Sequence, residues 1–599
     1  MQFHVQKRFL IFSLRFRWVY CQLETLRPCL PPSVRRTLNE LPETLDETYE
    51  RILREIPKSN RIYAHRLLQC LTVAMRPLSV EELAEILAIE FATSEEIPKL
   101  NEGLRWEDQE QAVLSACSSL ITVVEDDGRR IVQFSHFSVK EFLTSDRLAI
   151  SKVDTSHFHH IDLEPAHTIM AQACLCVLLR LYSHINDANI KSLPLARYSA
   201  NYFGNHAEFE NVNMLSNIRS GIDDLLDADK PHFAAWLWVR NGHFEGHPER
   251  PEAPPLYYVA QFGFRSMVDY LISKHPEDLS TRGYWGIPLH AALDGGHADV
   301  ALLLLRHCVD VDIRGRDDQT PLHFAAARGL PEVARILIER HADINARDST
   351  GKTPLLALAA FDPRDGHLDV AQLLLEHGAD VHTQDDNHFT PLHGASYWGN
   401  IKVARLLLEH GANINAQNKE GQTPLLLLLA NIWDWDDEPL DSDIDAIRLF
   451  LERGADVDSM DSNHSTLLHV ASYWGNLELV RLLLDHGAKV NVQNLEGQTP
   501  LHKTLIRMDD SFQDQYFDSI RFLLEHGADV GSRDNDQSTP LHVASQYGCI
   551  MAAQLLLKHG ASVHLQNNDG QTPLQVASKG GHEEVTRLLS EHLKNEERT

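Results

Sequence analysis

The tetrapeptide Thr-Pro-Leu-His occurs four times, at Thr320–His323, Thr390–His393, Thr499–His502 and Thr539–His542, and constrains this 599-residue chain more than any other feature. Weaker copies stand at Pro255, Pro288, Thr353-Pro354, Thr423-Pro424, Thr466-Leu467 and Thr572-Pro573, so successive spacings are 33, 33, 33, 37, 33, 43, 33, 40 and 33 residues. A recurring period of this length predicts a stack of small supersecondary units. Threonine suits a helix N-cap, and proline suits the first helical position, where its missing N–H removes no bond. A leucine-rich second helix follows, as at Val403–Leu408, and a glycine such as Gly411 stops it. The Asp/Asn/Gly stretch before the next threonine predicts a turn.

A second periodicity lies over the first. From Thr353 onward, 33-residue units alternate with units of 37, 43 and 40. The turns alternate as well: Asn418–Gln422, Asn494–Gln498 and Asn567–Gln571 are of one type, and Asp386–Phe389, Ser462–Ser465 and Asn535–Ser538 of another. The insertions, near Asp362–Asp365, Trp433–Asp445 and Met508–Asp518, are expected as three acidic loops between the two helices of a unit. The heaviest carries Asp434, Asp436, Asp437, Glu438, Asp441, Asp443 and Asp445, without the order of acids or the turn glycine of a calcium loop.

Motif and period together resemble the ankyrin repeat, over residues 251–599 in about ten units. The resemblance implies an α-solenoid with β-hairpin turns, in which the motif histidine is structural. That absorbs His290, His323, His393, His469, His502 and His542, so no metal site is expected. It also implies a concave partner-binding face made of turn tips and the residues ending each first helix. The candidates are Gln261, Phe262, Phe389, Tyr397, Trp398, Tyr473, Trp474, Gln546 and Tyr547. Aromatic residues make good anchors because they bury much area at little rotamer cost. The same rings also suit a structural reading, as cover for the groove floor.

Charge bears on the partner. The chain has 85 acids against 55 bases, a net −30, and residues 251–599 hold 51 acids and 28 bases, or −23. Such a surface repels nucleic acid and favours a protein partner offering apolar side chains beside lysine or arginine. Eight scattered cysteines fit a reducing compartment, and no apolar run approaches the ~20 residues of a membrane span. A cytoplasmic protein is expected, with a nuclear one left open.

The first 250 residues carry another resemblance. Arg15–Leu23, Leu41–Leu53, Arg76–Leu83 and Val132–Leu143 are similar to segments that follow the ATPase core in fungal NACHT proteins, switch NTPases of the STAND class. The physical pattern agrees with a winged helix over 56–150. Ser79 caps a helix whose first turn holds Glu81 and Glu82, and Ile121–Val124 and Arg130–Phe134 flank the turn Glu125–Gly128 as a wing. Residues 151–250 read as a helical linker, and 1–55 as the end of a NACHT region with its connecting helix. Between Met1 and Leu23 there is no acid, which fits a mitochondrial presequence or a chain that starts inside a larger fold.

No G-x-x-x-x-G-K-[ST] phosphate loop occurs in the chain, nor a nucleophile or kinase motif. The resemblance makes His136 the nucleotide-contacting histidine only if an NTPase core lies upstream; otherwise it is a wing or core histidine. The expectation is a non-enzymatic, cofactor-free recognition module of a NACHT–ankyrin signalling protein. Its rival is a free-standing ankyrin adaptor that recruits substrates to a separate enzyme such as a ubiquitin ligase. Ligand and oligomeric state are not readable.

Overall fold

The computed structural model describes residues 44–596 apart from 92–95, 118–119, 127, 147, 149–159, 183–184, 187–189, 243–247, 308–309, 361–365, 434–440 and 508–512. Arg15–Leu23, Asp127 and the middles of the three insertions lie outside those residues. The chain divides into two compact units, 1–291 and 292–599.

In the first unit, helix Leu45–Glu55 opens on a capping box: Thr44 Oγ1 accepts from the Glu47 N–H while the Glu47 carboxylate accepts from the Thr44 N–H. Ser79 and Glu82 repeat the arrangement at helix Val80–Leu87, as their spacing requires. The wing consists of strands Ile121–Asp126 and Arg129–Phe134, antiparallel, with Ile121 opposite Phe134 and Asp126 opposite Arg129. Leu78–Ser79 adds a short third strand against Arg129–Phe134. Val132 is buried and Gln133 exposed, the alternation of a strand with one face on the core.

The linker helices Leu163–Leu178, Ala196–Ala207, Ser216–Leu225 and Pro231–Asn241 follow. Their packing runs across residue 250 into the first repeat, helices Pro255–Gln261 and Arg265–Lys274. Trp236 is fully buried, donates through Nε1 to the Ala200 carbonyl (2.9 Å), and stacks on Phe264. Gly204 faces the same ring, and a Cβ at that position would lie 2.1 Å from it. Glu208 accepts from the Ser266 and Met267 N–H groups, capping the second helix of that repeat from outside.

In the second unit, helix pairs succeed one another, such as Pro321–Ala327 with Pro331–Glu339 and Pro391–Tyr397 with Ile401–Glu409. A glycine at positive φ turns the chain between the helices, as Gly399 does (φ 65°), and Asn400 caps the second helix by accepting from the Val403 N–H. The turns stack through single backbone bonds from one tip to the next: Asp386 N–H to the Thr350 carbonyl, Lys419 to Asn387, Leu495 to Asn463, Asn568 to Asp536. The two turn types share one backbone. Where one has Gly351, Gly421, Gly497 or Gly570 at φ 72–81°, the other holds His388, His464 or Gln537 at φ 56–60°.

The insertions are less loop-like than expected. Trp433 ends helix Pro424–Trp433, and Asp441, Asp443 and Asp445 belong to helix Asp441–Glu452. Gln513–Asp518 likewise forms the start of helix Gln513–Glu525. Acids in a first turn are favoured by the helix dipole, so these residues lengthen the second helix instead of filling a loop.

Candidate surface for partner binding

Five of the six motif histidines are held between two units. In five repeats the Thr N–H donates to the histidine Nδ1, at 3.2 Å for Thr320–His323 and 3.1 Å for Thr390–His393. With Nδ1 accepting, Nε2 carries the proton and donates to a carbonyl of the next turn. His323 reaches Lys352 at 3.0 Å, His393 reaches Gln422 at 3.1 Å, and His469, His502 and His542 reach Gln498, Ser538 and Gln571. Burial pushes the pKa of all five down, which favours the neutral tautomer that this pattern needs. These imidazoles are fasteners, already committed on both nitrogens. Among the described residues no group of three or more His, Cys, Asp or Glu is placed to hold a metal ion.

The aromatic candidates share one structural position. Tyr397 and Tyr473 are the last residues of their first helices, and Trp398 and Trp474 the C-caps; Gln546 and Tyr547 occupy the same two places in a later unit. Tyr397 is 44% exposed, Trp398 39% and Tyr547 44%, and Gln546 is exposed. Tyr397 and Trp398 meet edge to face at 5.3 Å, as do Tyr473 and Trp474 at 5.7 Å, so each pair is a preformed corner of two rings. Phe389, half-buried at its turn, leans on His393 with centroids 5.5 Å apart.

Two environments depart from the pattern. Phe262 is engaged within the first unit: its ring meets Trp236 edge-on at 5.8 Å and carries Arg240 at 3.9 Å from its centroid. Gln261 beside it is half-buried. That position joins the first repeat to the linker. Tyr473 and Trp474 are also only half-exposed, because Arg507 lies over both, at 5.0 Å and 3.9 Å.

Arg507 escaped the sequence reading, although a signal for it exists. It is the C-cap of helix Pro500–Ile506, eight residues after Thr499, as Trp474 is eight after Thr466. Arg328, eight after Thr320, likewise reaches back one unit to Asp294 at 2.5 Å. Numbering each repeat from its threonine exposes this register. Tyr284, 59% exposed at the tip between Gly283 and Gly286, was missed as well.

His136 is half-buried and sits at the N-cap of helix Phe137–Leu143, where Nδ1 accepts from the Ser138 N–H and meets the Ser138 hydroxyl at 2.6 Å. That hydroxyl bonds in turn to the buried Tyr49 OH at 2.9 Å, tying the helix to Leu45–Glu55. A separate cleft of about 800 Å³ has Arg76, Glu81, Glu82, Asp126, Arg129, Arg130 and Arg197 in its lining. Its charges largely cancel, since Arg76 pairs with Glu82, and Arg130 with Glu81 and Glu110. Burial pushes the Cys70, Cys117 and Cys174 thiols up to about 12 and Cys176 to about 11, which leaves them unreactive. No helix among the described residues is long and apolar enough to cross a membrane.

Comparison with known proteins agrees with this geometry. The family model for ankyrin repeats matches residues 256–348, 340–418, 440–534 and 508–599. A model described as the winged helix domain of GPI inositol-deacylase matches residues 52–153. Among curated proteins, the chain is similar to azaphilone pigments biosynthesis cluster protein L of Monascus ruber, 31% identical over 297 residues, covering 46% of this chain and 61% of that one. It is 40% identical over 62 residues to the E3 ubiquitin-protein ligase KEG of Arabidopsis thaliana, covering 10% of this chain and 4% of the ligase. It is 47% identical over 60 residues to the B-cell lymphoma 3 protein homolog of Mus musculus, covering 10% and 13%. The chain thus spans less than two thirds of the length of each of these relatives.

Proposed function

The chain belongs to the ankyrin repeat family, and from that premise we propose that it is a recognition module whose solenoid captures a protein on its concave face. Ankyrin repeats are protein–protein interaction modules. The observation that carries the reading is the pair of ring corners, Tyr397 with Trp398 and Tyr473 with Trp474, at one structural position two units apart. Edge-to-face rings on rigid helix ends, exposed at Tyr397 and Trp398 and covered by Arg507 at Tyr473 and Trp474, are costly to leave in water and suited to be buried by a partner. The −23 charge of residues 251–599 selects a partner that sets apolar groups beside basic ones.

On this reading the chain has no catalytic role of its own and needs no cofactor, and it works in the cytoplasm. The winged helix and helical linker ahead of the repeats support its place in a NACHT–ankyrin signalling protein. There, ligand on the repeats would bias a switch between two states. The adaptor reading gains nothing specific from the ligase likeness, which covers 4% of that protein.

The test is selection of a displayed peptide library against the full chain. Clones are expected whose binding is lost when Tyr397, Trp398, Tyr473 and Trp474 are replaced by alanine, while the thermal midpoint stays nearly unchanged. Clones that bind the fourfold variant as well as wild type would overturn the reading.

A further inference from the structure

Arg507 shows what one ring corner accepts. Its guanidinium lies 3.9 Å from the Trp474 ring centroid and 5.0 Å from that of Tyr473, reaching back from the following unit. The Tyr397–Trp398 corner has the same residues, the same place at a helix end and nearly the same ring geometry, 5.3 Å and 87° against 5.7 Å and 86°. Counting eight residues from the threonine of its following unit, Thr423, gives Asn431 where the other doublet has Arg507. Among the described residues no cation is placed over Trp398 or Tyr397, and the rings stay 39% and 44% exposed. At Tyr547 the corresponding residue of the following unit is Gly580, so that ring also lacks a reaching arginine.

Resting on the recognition reading above, we propose that the Tyr397–Trp398 corner is a binding site for an arginine side chain of the partner. Its guanidinium stacks on Trp398 as Arg507 stacks on Trp474. The geometry favours arginine over lysine, because a planar guanidinium spreads over an indole face and sheds its weaker hydration shell readily, whereas an ammonium remains a strongly hydrated point charge. The excess of 51 acids over 28 bases in residues 251–599 draws such a segment in. Arg507 thus has a second consequence. It fills the equivalent corner from within, so the two corners are not interchangeable and the partner's arginine is directed to the earlier one.

The experiment uses the full chain with indole-labelled tryptophan and follows each Trp Nε1–H signal by NMR during titration with a short Gly-Ser peptide carrying spaced arginines. The lysine version of the peptide is the control. The expected result is a shift of the Trp398 signal and none at Trp474, with the lysine peptide weaker by about 2- to 5-fold, a difference on the scale of an exposed cation–ring contact. In R507A the Trp474 signal should begin to respond, since the corner is vacated. In N431R the Trp398 signal should fall silent, since the corner is filled from within as its counterpart is. A Trp398 signal indifferent to both peptides overturns the proposal, as does equal response to arginine and lysine. Displayed clones that need Tyr397 and Trp398 but lack arginine would sink this inference while leaving the recognition reading standing. Clones indifferent to those rings would remove both.

Discussion

Replacing His393 by alanine isolates the fastener between repeats. His393 is fully buried, accepts the Thr390 N–H at 3.1 Å and donates to the Gln422 carbonyl at 3.1 Å. H393A leaves the Thr390 N–H buried without a partner, at about 1–3 kcal/mol, and removes one of two bonds to the Gln422 carbonyl, which still accepts from the Asn418 N–H, at about 0.5–1.5 kcal/mol; water entering the space offsets part of that. The net expected loss is about 2–4 kcal/mol. H410A is the matched control: His410 is exposed and, among the described residues, bonds to the Leu406 carbonyl one turn back, so its loss should stay within about 0.5 kcal/mol. H393Q should recover part of the loss, because Gln575 accepts the Thr572 N–H at 2.9 Å in the last repeat. Urea unfolding followed by far-UV circular dichroism reads all three. Equal midpoints for H393A and H410A would refute the assignment of the motif histidine as an inter-repeat fastener.

Other consequences are open to the same kind of measurement. The five motif histidines and His65, His167 and His206 all have folded pKa values pushed down by burial, the last three to about 4, 4 and 3. Below an unfolded value near 6.5 the unfolded chain takes up protons that the folded chain refuses, so stability falls as pH drops through that value, by about 1.4 kcal/mol per pH unit per histidine until the folded group titrates. Thermal midpoints at pH 7.5 and 5.5 should therefore differ, the lower belonging to pH 5.5, and a midpoint that rises on acidification would contradict the account. H388G, H464G and Q537G each relieve a left-handed non-glycine residue and should stabilise by about 0.5–1 kcal/mol in urea titrations, against the 1–2 kcal/mol strain of that conformation. G204A forces a methyl group toward the Phe264 ring and should destabilise by about 1–3 kcal/mol; an unchanged midpoint would show that the linker and first repeat are not packed as described.

Features written in local spacing were legible in the sequence. Thr–Pro–Leu–His predicted cap and first turn, and the resemblance it carries implied a structural histidine; Gly411 takes φ 83°; Ser79 was legible as a cap; and the wing strands expected on either side of Glu125–Gly128 do pair, the pairing running on to Asp126 and Arg129. What depends on distant partners was not. Phe262 reads like its counterparts Trp398 and Trp474, yet Trp236 and Arg240 of the linker engage it. Arg507 looks like an ordinary helix-end arginine until its register with Trp474 one unit earlier is counted. The insertion around Asp441–Asp445 shows acids, which suit a solvated loop and a helical first turn equally, so composition did not decide between them.

The central claim, that the first-helix ends form the partner-binding surface, is tested most directly by placing a photo-crosslinking phenylalanine analogue at Tyr397, at Tyr547 and, as a control, at Met551. Met551 is also 44% exposed but lies on the second helix of its unit, Ile550–Lys558. In cells that naturally make the protein, irradiation should give discrete protein adducts from positions 397 and 547 and none from 551. Adducts from 551 alone, or none from 397 and 547, would contradict the account.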